Sequence, residues 1–199
     1  LSSFGANAVS VNGGNVKNTG IEVGLHWNDN IGKDFQYGAN LTLAHNKNEV
    51  TKIANKDGII HGSGSVLWEG AEECFRAEVG KPIGYFYGYK VEGVYQTQEE
   101  IEHSPKNTLA TVTPGDLKFR DVNGDGEITT ADRTMIGNPT PDVTYGFTLG
   151  LGYKNWELAV DMMGQGGNQI YRTWDNYNWS QFNFMEQRMD RWHGEGTSN

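Results

Sequence analysis

The sequence predicts an all-β chain of antiparallel strands, joined by long loops and short helical turns. Three observations carry that prediction. The 199 residues include 27 glycines, 9 tyrosines and 6 tryptophans, a composition unlike that of a helical bundle. Two stretches alternate apolar and polar residues with a period of two, the mark of strands with one buried face. The longer arm of each alternating pair persists for roughly 10 residues, closer to a transmembrane β-strand than to the usual mode of about 5 to 6.

Taken in order, Ile21, Val23, Leu25 and Trp27 alternate with Glu22, Gly24, His26 and Asn28, and a polar turn follows through Asp29 to Lys33. The return strand sets Phe35, Tyr37, Ala39, Leu41 and Leu43 against Gln36, Gly38, Asn40, Thr42 and Ala44, which completes a long hairpin. Residues 46 to 80 are polar and glycine-rich and read as irregular, with one short strand over Ser65 to Glu69. Ile83 to Gln96 reads as extended and Thr97 to Ile101 as a helical turn. Pro105 to Pro114 is expected to be a loop, and Thr130 to Met135 a helical turn capped by Thr130 and ended by Pro139 and Pro141.

The second hairpin is cleaner. Tyr145, Phe147, Leu149, Leu151 and Tyr153 alternate with Gly146, Thr148, Gly150, Gly152 and Lys154; after Asn155 the return carries Trp156, Leu158, Val160 and Met162. Aromatic residues stand at both ends of its apolar face, the girdle layout of a membrane barrel. Alternation alone fits a soluble β-sandwich equally well, because it shows only that one face is buried. Strand length favours part of a transmembrane β-barrel. Beyond this hairpin, Gly164 to Asn168 reads as a flexible turn, Gln169 to Ser180 is dense in aromatics and amides, and Phe184 to Trp192 has helical character. Tyr171, Trp174, Tyr177 and Trp179 would suit a sugar-stacking platform, although such clusters more commonly serve packing.

With 25 acidic against 16 basic residues the formal charge is −9, and without a basic cluster to offset it this argues against nucleic-acid binding. The single Cys74 has no partner for an internal disulfide. No run of 18 apolar residues offers a membrane helix, which leaves barrel strands open. The chain opens Leu1-Ser-Ser-Phe-Gly5 without a secretory leader and ends Gly194-Glu-Gly-Thr-Ser-Asn199 without a closing element, which reads as a segment of something longer.

Asp121-Val-Asn-Gly-Asp-Gly-Glu-Ile-Thr-Thr-Ala-Asp132 has the spacing of a calcium loop. Calcium takes six to eight hard oxygen ligands, supplied in an EF-hand-type loop from positions 1, 3, 5, 7, 9 and 12. Those positions hold Asp121, Asn123, Asp125, the carbonyl of Glu127, Thr129 and Asp132. Gly126 falls where positive φ is needed. Asp in place of Glu at the last position shortens that ligand's reach, and Asx-rich turns can mimic the pattern without metal. A single loop without a second copy points to a structural brace.

Catalytic patterns are missing: no HExxH, no GxSxG and no CxxC is present, and the histidines are scattered. Gly62-Ser-Gly-Ser-Val-Leu67 and Gly164-Gln-Gly-Gly167 are incomplete as nucleotide loops. Glu69, Glu72 and Glu73 could pose as a hydrolytic carboxylate pair but read better as a solvated face. The chain is therefore not expected to be an enzyme.

Several segments together resemble a known family. Pro114-Gly-Asp-Leu-Lys-Phe-Arg-Asp-Val-Asn-Gly-Asp-Gly126, then Asp132-Arg-Thr-Met-Ile-Gly-Asn-Pro139 and Thr144-Tyr-Gly-Phe-Thr-Leu149, are similar to the late barrel region of the SusC/RagA family of TonB-linked outer-membrane transporters. Asn18-Thr-Gly-Ile-Glu-Val23, Gly80-Lys-Pro-Ile-Gly-Tyr-Phe-Tyr-Gly-Tyr89 and Arg188-Met-Asp-Arg-Trp192 extend the likeness, in family order, over nearly the whole chain. The resemblance implies a barrel of roughly 22 strands closed by an N-terminal plug. It also implies energy from TonB, coupled through a part not in this chain, and a SusD-like surface lipoprotein that captures glycans or peptides. The calcium loop would then lie in an extracellular loop region, bracing it. An open set of barrel strands exposes edges and an apolar face, so the segment is not expected to be a comfortable soluble monomer. The competing reading is a secreted, calcium-braced β-module that binds carbohydrate.

Overall fold

The computed structural model describes residues 12–62, 72–171 and 186–197. The described strands are β1 (Gly14–Ile31), β2 (Phe35–Ile53), β3 (Ile59–His61), β4 (Phe75–Glu78), β5 (Tyr85–Gly88), β6 (Val91–Val94), β7 (Lys106–Asn107), β8 (Leu117–Phe119), β9 (Glu127–Ile128), β10 (Thr134–Gly137), β11 (Val143–Tyr153) and β12 (Trp156–Gly166). A short helix, α1 (Gln98–Glu102), and two 3-10 turns at Thr130–Asp132 and Glu186–Asp190 complete them. The chain divides into two compact units, one built from Leu1–Gly62, Phe75–Tyr85 and Asn138–Ile170, the other from Ser63–Cys74, Phe86–Gly137 and Tyr171–Asn199.

The first unit is dominated by a four-stranded sheet in the order β1-β2-β11-β12, antiparallel throughout. Strands β1 and β2 run for 18 and 19 residues, and β11 and β12 for 11 each. Both hairpins close with short turns at the same end of the sheet, where the Lys154 amide donates to the Asp34 carbonyl across 2.9 Å. Lys154 adopts φ 53° to close its two-residue turn with Asn155. At the other end β2 and β11 are adjacent in space but separated in sequence by residues 54–142, so a long excursion leaves the sheet there. Short turns on one rim and long excursions on the other is the asymmetry of outer-membrane barrels.

Beyond the last β2–β11 pair, Val143 with His45, the β1–β2 ribbon continues alone to Gly14 and Ile53. Its inner face is covered by the unit's own chain. The Val50 amide donates to the Lys81 carbonyl, the Gly80 amide to the Val50 carbonyl, and the Ile83 amide to Asn48 Oδ1. Val50, Ile53 and Tyr85 are buried in this corner. The Tyr85 hydroxyl donates to Glu78, and burial together with that carboxylate pushes its pKa up. Strands β3 and β4 pair beside it.

The second unit is held by small pieces. Strands β5 and β10 pair over Phe86 to Gly88, β6 pairs with β8, and β7 with β9 in parallel. Thr97 caps α1 by accepting from the Glu100 amide. Glu100 in turn accepts from the Gln96 amide and from Lys118 Nζ, at 2.9 and 2.8 Å, and these bonds hold its carboxyl below the usual range. The Arg133 guanidinium lies 4.7 Å from the Tyr87 ring centre and 5.9 Å from that of Tyr89, and donates to the Glu73 carbonyl. Trp192 packs on Gly115, where any Cβ would meet the indole at 2.7 Å, and its Nε1 donates to Gln96 Oε1.

Several sequence expectations need correction. Residues 46–80 are less irregular than predicted, because β2 runs on to Ile53 and β3 and β4 follow. The missed strand carries Asn, Lys, Glu and Thr, so no apolar alternation announces it. The 3-10 turn is capped by Thr129, whose hydroxyl accepts from the Ala131 amide, rather than by Thr130. Thr134 and Met135 are strand, not helix, and β12 runs into the predicted turn as far as Gly166. Lys106 and Asn107 form a strand inside the predicted Pro105–Pro114 loop. The predicted strand at Ser65–Glu69, and Trp174, Tyr177 and Trp179 of the aromatic cluster, lie outside the described residues.

Candidate functional site

Two features of the first unit decide what the sheet can do. Strand register aligns residues into transverse rows on one, mainly apolar, face: Val23, Leu43, Tyr145 and Gly164; Leu25, Leu41, Phe147 and Met162; Trp27, Ala39, Leu149 and Val160; Asp29, Tyr37, Leu151 and Leu158, where Asp29 accepts from the Tyr37 hydroxyl at 3.5 Å; and at the short-turn rim Ile31, Phe35, Tyr153 and Trp156. These side chains are not buried. Leu25 is 60% exposed, Trp27 62%, Leu158 55% and Trp156 81%, an apolar surface interrupted by Asp29 on β1 near the short-turn rim and too large for a water-facing sheet. Aromatic residues sit at its two ends, Phe35, Tyr153 and Trp156 at the rim and Tyr145 at the other, with the Tyr145 ring lying over Gly164. From the Tyr145 row to the Tyr153 row is roughly eight residue steps, ~27 Å along the strands. A tilt of about 40° reduces that to ~21 Å, close to the ~25 Å apolar band of barrels.

The opposite face is polar and small. Its central row crosses all four strands as His26, Asn40, Thr148 and Asp161. Nδ1 of His26 pairs with Asn40 Oδ1, Asn28 reaches His26 Nε2 at 2.7 Å, and the Thr148 hydroxyl donates to Asp161 at 2.7 Å. Gly38, Gly146, Gly150 and Gly152 leave this face without bulk, and an open groove of about 1170 Å³ runs along it toward the short turns, lined by Asn28, Gln36, Gly38, Gly150 and Gly152. A sheet apolar on one face and polar on the other has the two-sided pattern of barrel strands, which have lipid outside and an aqueous lumen inside.

The predicted metal loop lies in the second unit. It curls around its own oxygens: Asp121 accepts from the Gly124 and Gly126 amides at 2.6 and 2.9 Å, Asn123 from the Asp125 amide at 3.0 Å, and Asp125 from the Glu127 amide at 2.9 Å. Gly124 and Gly126 take φ 75° and 84°, the left-handed conformations that the turn requires. The structure thus gathers Asp121, Asn123 and Asp125 at the exposed mouth, with Glu127 next in β9. Thr129 and Asp132 are paired in a capping box at the loop's C-terminal end, from which the Asp132 carboxylate reaches back to the loop's entry beside Asp121. Asp132 is fully buried and accepts from the Val122 amide at 2.9 Å and the Thr129 amide at 2.7 Å. The Thr129 bond is the leading reason its carboxyl is held below the usual range. Ile128, 1% exposed, anchors the loop. Among the described residues no three His, Cys, Asp or Glu side chains converge as a metal-binding group. The predicted set relies also on amide, hydroxyl and carbonyl oxygens, all hard donors suited to calcium.

Sequence reasoning missed the polar upper ribbon of β1 and β2, with Lys17, Lys47 and Lys52, because its alternation is between polar residues. It also missed Arg133 between two tyrosines, for which no local pattern exists.

No protein-family model matches the chain. TonB-dependent receptor P26 of Formosa agariphila is 32% identical over 191 residues, covering 94% of this chain and 19% of its own length. TonB-dependent receptor P3 of the same organism is 34% identical over 161 residues, 79% of this chain and 16% of its own. TonB-dependent receptor SusC of Bacteroides thetaiotaomicron is 25% identical over 158 residues, 79% of this chain and 15% of its own. The solved structure of the RagAB peptide importer in the open-open state superposes with a TM-score of 0.56 at 21% identity, covering 78% of this chain and 15% of that one. The chain therefore spans about a fifth or less of the length of these relatives.

Proposed function

We propose that this chain, a SusC/RagA-type segment of a TonB-dependent outer-membrane protein, serves the import of glycans or peptides across the bacterial outer membrane. The observation that carries the reading is the four-stranded sheet, whose apolar, aromatic-ended face and polar, glycine-rich face are matched row by row across β1, β2, β11 and β12. The fold is that of a partial β-barrel, which the RagAB superposition supports independently of sequence.

In this reading β1, β2, β11 and β12 are neighbouring barrel staves spanning the outer membrane, with the short turns toward the periplasm. Residues 54–142 form an extracellular excursion. The polar row from His26 to Asp161 lines the passage, whose role is recognition and passage, not catalysis. A SusD-like lipoprotein would close the extracellular side and TonB would supply energy through the remainder of the protein. These roles rest on the likeness to SusC and to the RagAB peptide importer. Outer-membrane fractionation of the parent protein, with a pull-down for an accompanying lipoprotein, tests the reading. Heat-modifiable membrane residence with the lipoprotein bound is expected; a soluble, partner-free protein would leave the alternative, a secreted carbohydrate-binding β-module.

The Asp121–Asp132 loop is assigned a bracing calcium ion, held by Asp121, Asn123 and Asp125 with the Glu127 carbonyl, and by Thr129 and Asp132 as they lie in the loop template. Supporting it are the inward-curled oxygens and the two left-handed glycines. Calcium should protect the excursion of the parent protein from protease, and a chelator should abolish that protection. Equal cleavage of wild type and an Asp121→Asn, Asp125→Asn variant in calcium would refute the assignment.

A further inference from the structure

The apolar outer face does not end in neutral polar residues at its upper edge. Followed beyond the Tyr145 row, the same face presents Ile21 with His45, then Thr19 with Lys47, Lys17 with Glu49, and Asn15 with Lys52. A register shift between Asn15 and Val16 leaves Thr51 as the extra residue, so Lys52 returns to the outer face while Ile53 turns inward and is buried. Three lysines thus stand in consecutive rows, all exposed, directly above a lipid-facing band.

The two faces of this ribbon are treated differently. The inner one is covered through Val50, Ile53 and the Asn48 bond to Ile83, whereas the outer one carries Lys47 with its side chain 71% exposed. Glu49, 2.9 Å from Lys47, is the acidic side chain among these outer-face rows, so positive charge is in excess. That is notable in a chain of formal charge −9. Lys47 lies two rows above Tyr145, ~13 Å along the strands at ~3.3 Å per residue. With barrel tilt this is the depth of the headgroup layer outside an aromatic girdle.

We infer that the outer face of the upper β1–β2 ribbon, through Lys17, Lys47 and Lys52, binds the phosphate groups of an anionic glycolipid in the outer leaflet. The inference rests on the reading that this sheet spans the outer membrane. Charge complementarity, and continuity of the lysines with the acyl-chain surface, select a lipid headgroup over a soluble anion. Each lysine near an anionic surface adds favourable energy, and three acting together distinguish bound lipid from bulk lipid.

The test uses the full-length parent protein, extracted from its own outer membrane in mild detergent, with retained phosphorylated glycolipid measured by phosphorus assay and mass spectrometry. Lys17→Gln, Lys47→Gln and Lys52→Gln combined should lower retention about tenfold. Lys33→Gln with Lys154→Gln, at the opposite rim, should leave it unchanged. If the triple variant fails to show heat-modifiable mobility, Lys47→Gln alone carries the test, with a smaller loss expected. Equal retention by wild type and lysine variants would overturn the proposal, as would complete displacement by inorganic phosphate, which would mark an adventitious anion site. A parent protein absent from the outer membrane would show in the fractionation itself and would fail the underlying reading instead.

Discussion

The two units of this chain reach stability by different means. The sheet of the first has long, regular ladders and yet leaves Leu25, Trp27, Leu158 and Met162 more than half exposed. The second has strands of two to four residues, but encloses Tyr95, Ile128 and the carboxylate of Asp132. Backbone pairing without burial is sufficient where a bilayer will cover the apolar face, since every ladder bond is then satisfied internally. In water the same economy fails, and short strands need buried anchors, caps and stacked cations to compensate. The contrast teaches that exposure must be judged against the solvent each unit meets.

Substitutions should separate the two regimes. The largest effect is expected in the second unit: Ile128→Ala removes a fully enclosed side chain, costing about 2 to 5 kcal/mol. It should loosen the Asp121–Asp132 loop in hydrogen exchange of the parent protein while leaving the sheet's protection intact. In the sheet, Leu149→Arg places a charge in the middle of the apolar band and should cost about 2 to 4 kcal/mol of barrel stability, read as a lowered urea midpoint in lipid vesicles. Thr148→Arg, one residue away on the polar face, should cost far less. A soluble sandwich would tolerate neither face differently in lipid and detergent-free buffer.

Smaller effects sharpen the picture. Asp132→Ala strips the acceptor from the Val122 and Thr129 amides and should cost about 1 to 3 kcal/mol. Because the Asp132 pKa is depressed in the folded protein, its contribution is present above the ordinary aspartate range and fades as pH falls through the depressed value. Protease protection of the loop should therefore fall in strong acid, and Asp132→Asn should flatten that dependence. Thr97→Ala, which removes the cap of α1, should cost about 1 kcal/mol, visible as faster amide exchange near Glu100.

Legibility in the sequence followed the same division. Both hairpins, their faces and the lipid-sized apolar span could be read from Ile21 to Leu43 and from Tyr145 to Met162, because a membrane writes a strict period of two. The signal stopped where the lipid stops. From Asn46 to Ile53 the strand continues through Asn, Lys and Glu, and alternation among polar residues carries no period that hydrophobicity can reveal. In the second unit the helical turn read at Thr97 to Ile101 is present, with Thr97 as its cap, while Thr130 lost the second cap to Thr129, one residue earlier. The contacts of Arg133 with Tyr87 and Tyr89, and of Trp192 with Gly115 and Gln96, join residues distant in sequence that no local pattern connects. Of the loop, the sequence could place the turn glycines and propose six oxygen donors by spacing; that Asp132 would be a buried cap depended on the fold around it.

The central claim is that one face of β11 meets lipid and the other an aqueous lumen. Single cysteines at Phe147, Thr148, Leu149, Gly150 and Leu151 of the parent protein, with Cys74 replaced by Ser, would carry spin labels in reconstituted membranes. Oxygen accessibility should be high at Phe147, Leu149 and Leu151 and low at Thr148 and Gly150, with a water-soluble nickel reagent showing the reverse. Nickel reaching all five positions alike, with no alternation, would contradict the account and make the sheet a soluble one.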